Sequence, residues 1–282
     1  MKKKFALNQE ENCVCLSSRI VYGQKQYWCN ATTRQLTMSF MCPRRYFDYD
    51  KREIQPLIVF ICGGGFEKED VNVWTPELAF FAKHGYSVAC VDYSVLPFTE
   101  WPEQIEDVKL AIRYLRAHAK EFWIDPDRIA VMGESAGGYL AAMAGTTGET
   151  REFDKGDYLE QSSAVQCAIP WYPAVNPGEL TGGGSYDPAT GTVVPSSAEK
   201  RIASMPDAAS YITEKTPPFC LVHGTSDAQV DISQSEYLYD KLEQAGIEAD
   251  LLIVEGAGHA DAGIVNSAVK QEMLNFLDRH LK

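Results

Sequence analysis

Residues 131–138, Val-Met-Gly-Glu-Ser-Ala-Gly-Gly, constrain the fold of this chain more than any other stretch. They set the pattern G-x-S-x-G between a short apolar run, Arg128–Met132, and a small-residue segment, Ala136–Ala144, suited to a buried helix. A strand that passes straight into a helix at a serine holds that serine on a sharp, strained turn, with its hydroxyl lifted clear of the sheet. Gly133 and Gly137 suit the same geometry, because a Cβ at either place would collide with the crossing backbones. Five such letters also occur in surface turns, so the flanking strand and helix carry the weight.

The rest of the chain supports that setting. Pro56–Cys62 is a continuous apolar run of the kind that forms a central parallel strand, and Gly63-Gly-Gly65 ends it. A helical segment over 76–83, a strand over Tyr86–Asp92 and a long helix over Glu103–Lys120 follow. In the long helix Ile105, Val108, Ile112 and Leu115 form one stripe, with Pro102 placed for the first turn. Residues 124–128 read as a turn into the Ser135 strand. Later strands are predicted over Val165–Trp171, Phe219–Gly224 and Asp250–Val254, and later helices over Ser233–Ala245 and Ile264–Lys282. Strands alternating with helices predict an α/β fold, a mostly parallel central sheet covered by helices on both faces. Ahead of it, Ser17–Gly23 and Arg34–Met41 predict antiparallel strands at the sheet edge. Residues 174–210, with Gly182-Gly-Gly184 and several prolines, predict an ordered loop or small cap within a single domain spanning 1–282.

Bulk chemistry excludes some partners. A net charge of −13 disfavours stable contact with nucleic-acid phosphates or an anionic membrane surface. No run is long enough to span a bilayer. Met1-Lys-Lys-Lys is followed only by Phe5-Ala-Leu7 before the polar Asn8–Asn12, so a signal-peptide core is missing and the expected location is the cytoplasm. Cysteines stand at 13, 15, 29, 42, 62, 90, 167 and 220 with no C-x-x-C pair. Those at 62, 90, 167 and 220 lie in apolar runs, which predicts reduced, buried thiols. Cys13-Val-Cys15 would put two thiols on one face of a strand, poor zinc geometry without further ligands. No metal and no organic cofactor is expected, and the oligomeric state, homo-oligomer included, stays open.

A serine hydroxyl at neutral pH needs a base, and the base needs an orienting acid. Among the five histidines, His84 suits a helix end, while His118 and His280 read as structural or solvated. His223 precedes Gly224 just upstream of Asp227, so positioning of that loop is its expected role. His259, in Glu255-Gly-Ala-Gly-His259, follows the last strand, on the rim where carboxyl ends of parallel strands converge, and is the expected base. Nucleophile-elbow folds run in the order serine, acid, histidine, which puts the acid between 135 and 259. Asp227 follows strand Phe219–Gly224 on the same rim. Asp231 stands where a helix N-cap belongs, Asp207 falls in the cap stretch, and Glu255 is too close to the last strand. Gly63-Gly-Gly65-Phe66 lacks both the G-x-G-x-x-G spacing and the Gly-Lys-Ser/Thr of phosphate loops, so its amides suit an oxyanion, as does the Ala136 N–H at a helix start.

Taken in order, Cys62-Gly-Gly-Gly-Phe66, Val91-Asp-Tyr93, Trp101-Pro-Glu-Gln-Ile-Glu-Asp-Val-Lys109, Ile124-Asp-Pro-Asp-Arg-Ile129, Gly133-Glu-Ser-Ala-Gly-Gly138, His223-Gly-x-x-Asp227 and Gly258-His259 resemble the α/β-hydrolase superfamily. The likeness is greatest to its hormone-sensitive-lipase and feruloyl/acetyl-xylan-esterase-like esterases, and it runs from about residue 55 to the end. The resemblance implies a serine carboxylesterase acting on small acyl esters, acetylated sugars among the candidates. Ser135, Asp227 and His259 would take the triad roles, with Gly64, Gly65 and Ala136 around the oxyanion. Phe66, Glu134 and Trp171 are the candidate substrate contacts. Two departures stand out: Cys62 replaces the histidine that usually opens the oxyanion motif, and Ser94-Val-Leu-Pro-Phe98 replaces an arginine-containing segment. The rival readings are a prolyl-oligopeptidase-like peptidase, for which 282 residues leave little room beside the catalytic part, and a non-catalytic ligand-binding homologue.

Overall fold

The computed structural model describes residues 1–5, 13–27, 32–44, 53–68, 70–96, 98–179, 185–187, 192–194 and 197–282. Strands β1 (Cys13–Tyr27) and β2 (Thr32–Arg44) pair antiparallel. Then come β3 (Gln55–Ile61), α1 (Thr75–Lys83), β4 (Ser87–Val91), α2 (Glu103–Ala117) and α3 (Ala119–Phe122). The nucleophile unit is β5 (Ile124–Glu134) and α4 (Ala136–Thr146), followed by β6 (Cys167–Trp171). Next are β7 (Ser185–Asp187), β8 (Thr192–Val194) and α5 (Ser197–Ala203). The chain closes with β9 (Phe219–Gly224), α6 (Ser233–Gln244), β10 (Ala249–Val254) and α7 (Ser267–Leu281).

One eight-stranded sheet runs β1-β2-β4-β3-β5-β6-β9-β10. From β4 to β10 its neighbours are parallel, and β2 joins antiparallel to β4 through Met38–Met41. Strands β3 and β4 are buried through nearly all their length, which is why their sequences are unbroken apolar runs. Helices α1 and α7 lie together on one face, joined by Lys270 to Glu77 at 2.6 Å; α2 and α4 pack against each other on the other. Because β3 leads first to β4 on one side and then to β5 on the other, a crevice opens at the carboxyl ends of β3 and β5. Gly63–Gly65 and Ser135 flank it.

Several element ends differ from the sequence expectation for physical reasons. Residues 124–128 are not a free turn but the start of β5, where Gln55 pairs with Ile124 and Leu57 with Ile129. The intervening residues bulge out, and the Asp125 carboxylate gathers them by accepting from the Asp127 amide at 2.9 Å and Arg128 Nε at 2.8 Å. Pro102 occupies the cap position of α2, one residue ahead of its first turn, and His118 ends α2. The segment expected as a loop or cap holds a 3-10 turn at Pro177–Glu179, the β7–β8 ribbon, α5 and a 3-10 turn at Ala208–Tyr211. Gly182–Gly184 lie outside the described residues, as does Cys29.

The predicted stripe of α2 is buried, yet so are charged residues beside it. Arg113 Nη1 meets Asp154 Oδ1 at 3.1 Å, and Lys109 Nζ donates to the Thr147 carbonyl at 2.7 Å. Burial lowers the Lys109 ammonium to about 8, against the opposing pull of Asp154. Together these cations tie the loop after α4 to the core. Among the described residues, no helix is long and apolar enough to cross a membrane.

Candidate active site

Ser135 occupies the turn between β5 and α4 with φ 55° and ψ −118°, a strained conformation for a residue with a Cβ. Close packing enforces it. A Cβ on Gly133 would lie 2.3 Å from the Gly137 carbonyl, and one on Gly137 would lie 2.1 Å from that of Ile61. The Ser135 amide donates to the Trp171 carbonyl at 3.0 Å, pinning the turn to β6.

His259 and Asp227 arrive from loops after β10 and β9. Ser135 Oγ lies 2.8 Å from His259 Nε2, and His259 Nδ1 lies 2.7 Å from Asp227 Oδ2. An ionised carboxylate only accepts, so Nδ1–H donates to Asp227 and leaves Nε2 free to accept from the serine hydroxyl. The two loops are laced together: the Ser226 amide donates to the Ala257 carbonyl at 2.9 Å and the Gly256 amide to Thr225 Oγ1 at 2.9 Å.

Burial alone would raise the Asp227 carboxyl, but hydrogen bonds from His223, His259 and the amides of Val230 and Gln229 hold it well below the usual carboxylate range. Its Oδ1 takes both amides at 2.9 Å. His223 packs against the Asp227 loop. Fully buried, it donates from Nε2 to the Val230 carbonyl at 2.9 Å, also lies 3.4 Å from Asp227 Oδ2, and accepts at Nδ1 from Ser235 Oγ at 2.7 Å. Asp231 is exposed and accepts from the Ser233 amide at 2.9 Å, at the start of α6. Asp207 caps a 3-10 turn through the Ala209 amide, and Glu255 is exposed.

The glycine loop leaves β3 beside Ser135. The Gly63 amide donates to Glu134 Oε1 at 2.5 Å, which ties the start of the loop to the residue before Ser135. A Cβ on Gly64, whose φ is 131°, would lie 1.9 Å from the Lys68 carbonyl. Ala136 begins α4, and first-turn amides have no partner inside a helix. Tyr93 supports the loop from below through a 3.1 Å hydrogen bond from its hydroxyl to the Cys62 carbonyl.

The three expected substrate contacts are all buried. Phe66 is 2% exposed and packs edge-on against Tyr139, with ring centroids 5.7 Å apart. Trp171 is 1% exposed, set against Phe60 and Trp74, with its indole N–H directed at Met273 Sδ. Both are core residues, because β6 turns Trp171 to the α1–α7 face and the left-handed φ at Phe66 tucks its ring inward. Glu134 is 8% exposed and spends its carboxylate on the Gly63 amide. Sequence reasoning missed that bond, since nothing in the spacing links positions 63 and 134. The residue after Trp171, Tyr172, is a buried ring 4.8 Å from the His259 ring at 66°.

Two expected results follow from the loop. Glu134→Ala lowers turnover on a short ester by about 10², the loss typical of one oxyanion donor, with KM little changed, while Glu134→Gln keeps an acceptor and most activity. Equal loss in both variants, or a loss confined to KM, contradicts this role. Cys62 is 3% exposed, so a larger side chain there would have to displace its buried neighbours. Cys62→Ser therefore stays active, whereas Cys62→His costs about 1–3 kcal/mol of stability through overpacking and brings no gain in kcat. A Cys62→His variant with unchanged Tm and higher kcat refutes that expectation.

Comparison with known proteins shows what the chain is similar to. The BD-FAE family model matches residues 46–242. A probable carboxylic ester hydrolase, LipM, from Mycobacterium tuberculosis is 29% identical over 209 residues, covering 70% of this chain and 47% of LipM. A probable isoprenylcysteine alpha-carbonyl methylesterase, ICMEL1, from Arabidopsis thaliana is 26% identical, covering 73% of this chain and 46% of its own. The chain thus spans about half the length of the curated relatives it matches. The thermophilic esterase Est2 of Thermogutta terrifontis superposes with a TM-score of 0.71 at 25% identity, covering 93% of this chain and 90% of Est2. A truncated carbohydrate esterase from gut microbiota has the same fold, with a TM-score of 0.75 at 22% identity over 98% of this chain and 99% of that one.

Proposed function

This chain belongs to the BD-FAE family and has the α/β-hydrolase fold, and from that premise we propose that it is a serine carboxylesterase of small acyl esters, acetylated carbohydrates included. The observation that carries the reading is the continuous relay from Ser135 Oγ through His259 to Asp227, at 2.8 Å and 2.7 Å. Ser135 attacks the ester carbonyl as His259 Nε2 takes its proton. Asp227 holds the imidazole in the accepting tautomer and stabilises the cation that forms. The amides of Gly64, Gly65 and Ala136 meet the oxyanion of the tetrahedral intermediate. His259 then returns the proton to the leaving alcohol, and a water activated by the same nitrogen cleaves the acyl-enzyme. The fold's single domain supplies the relay, and the insertion at 174–210 is the segment we assign as its cap.

A p-nitrophenyl ester chain-length series run beside a panel of acetylated oligosaccharides tests the reading. The expected result is the highest kcat/KM on acetyl and other short acyl groups. Cleavage of peptide substrates in preference to esters favours the peptidase. Tight ligand binding without turnover on any ester favours a binding protein.

A further inference from the structure

Outside the candidate active site, thiols cluster on the sheet edge. Strand β1 is the outermost strand, and its register sets Cys15 directly opposite Cys42 and Cys13 opposite Arg44. Directly paired residues of antiparallel strands project to the same face. All of these sulfurs are reduced and none is in the core: Cys13 is exposed, and Cys15 and Cys42 are half-buried. This separates them from Cys62, Cys90, Cys167 and Cys220, which are buried. Arg44 Nη1 lies 3.8 Å from Cys15 Sγ, a cation beside the sulfur of the pair.

We propose that Cys15 and Cys42 are a thiol–disulfide modification site that staples the sheet edge under oxidation by a low-molecular-weight disulfide. Opposed Cβ atoms in such ladders lie about 4.5–5.5 Å apart. A disulfide needs about 3.5–4.5 Å, so the bond forms with a small inward movement of the strands. That strain, with partial exposure, is the property of a reversible disulfide rather than a permanent one. Cys13 stands on the same face but one pair removed from Cys42, about 7–8 Å along the diagonal, so it is the poorer partner.

The location explains what the bond would do. Pairing of β2 with β4 ends at Met41, so Cys42-Pro43-Arg44 and the facing Cys13–Cys15 overhang the sheet as a two-stranded ribbon. Pro43 has no N–H to contribute to a ladder. Two-stranded ribbons are marginal in water and their ends open readily, so a cross-link there removes a local opening.

The chemistry balances without the protein supplying an oxidant. The Cys15 thiolate attacks one sulfur of the small disulfide, forming a mixed disulfide and releasing one small thiolate. Cys42 then attacks the Cys15 sulfur, forming the cross-strand bond and releasing the second. Both protein protons go to the released thiolates, and the small disulfide is reduced by two electrons as the protein pair is oxidised.

Exposure of the folded protein to oxidised glutathione, followed by alkylation, mass spectrometry and peptide mapping, tests this. The expected result is loss of two alkylatable thiols, a Cys15–Cys42 linked peptide, reversal by dithiothreitol, and a Tm raised by about 5 °C. Cys13→Ser keeps the link. Cys42→Ser abolishes it and leaves Cys15 as a mixed disulfide. The proposal is overturned if Cys15 and Cys42 stay separately alkylatable, if each ends as its own glutathione adduct, or if the link maps to another pair.

Discussion

Ser135→Ala leaves a folded protein whose ester hydrolysis is lower by about 10⁴ or more, because members of a nucleophile–base–acid set act as a unit and removing the nucleophile ends their joint contribution. The fold should survive the change. The strained turn is held by backbone contacts, among them the Ser135 amide on the Trp171 carbonyl at 3.0 Å and the Tyr139 amide on the Ser135 carbonyl at 2.9 Å. Alanine keeps these bonds, and it releases the His259 contact without burying a new polar group. Turnover of p-nitrophenyl acetate, with Tm and circular dichroism measured on the same sample, separates the two effects. Activity near the parent level in a folded Ser135→Ala protein removes the mechanism. Lost activity with a lowered Tm points to a structural serine instead.

The parts of this molecule that were legible in the sequence are those encoded by short-range pattern. The G-x-S-x-G turn, the unbroken apolar runs of β3 and β4 and the stripe Ile105, Val108, Ile112 and Leu115 on α2 each carry a local signature, and each lies where it was expected. The positions of Asp227 and His259 were legible because strand ends converge on one rim in a parallel sheet, a rule of topology rather than of local sequence. What escaped is long-range pairing. Arg113 is buried with Asp154, and neither residue advertises that partner from its own neighbourhood. From sequence alone Trp171 suits a pocket wall and the core equally, since aromatics serve in both. The strand's alternation sent its side chain into the α1–α7 layer, while the next residue, Tyr172, met the histidine.

The same limit hid the support of the glycine loop. Gly63 and Glu134 are joined by a hydrogen bond only because β3 and β5 are neighbours in the sheet, with Ile61 opposite Gly133. The Cys15–Cys42 pairing likewise depends on a register that composition cannot supply. In both cases the residue type was visible and its partner was not.

Asp227→Asn should cost about 10⁴ in turnover while leaving the fold intact, and the reason lies in how an amide must sit in this site. Asp227 Oδ1 accepts two backbone amides, from Gln229 and Val230, each at 2.9 Å. An asparagine that kept its oxygen there would direct its NH₂ at His259 Nδ1 and His223 Nε2, both of which donate to the carboxylate. His223 Nε2–H is already fixed by the Val230 carbonyl at 2.9 Å, so His259 is the group that can adapt, by moving its proton to Nε2. That tautomer donates to Ser135 Oγ instead of accepting from it, and the base is lost. The opposite amide orientation sets the NH₂ against two backbone N–H groups, a conflict that costs about 1–3 kcal/mol for each buried group left unsatisfied. Asp231→Asn is the matched control: that carboxylate is exposed, serves the Ser233 amide and touches neither histidine, so its loss should leave kcat/KM within about twofold of the parent, a surface change of less than 0.5 kcal/mol. Kinetics on both variants at one pH decide the matter. A crippled Asp231→Asn beside an active Asp227→Asn would move the acid to the other residue and dissolve the relay on which the esterase reading rests.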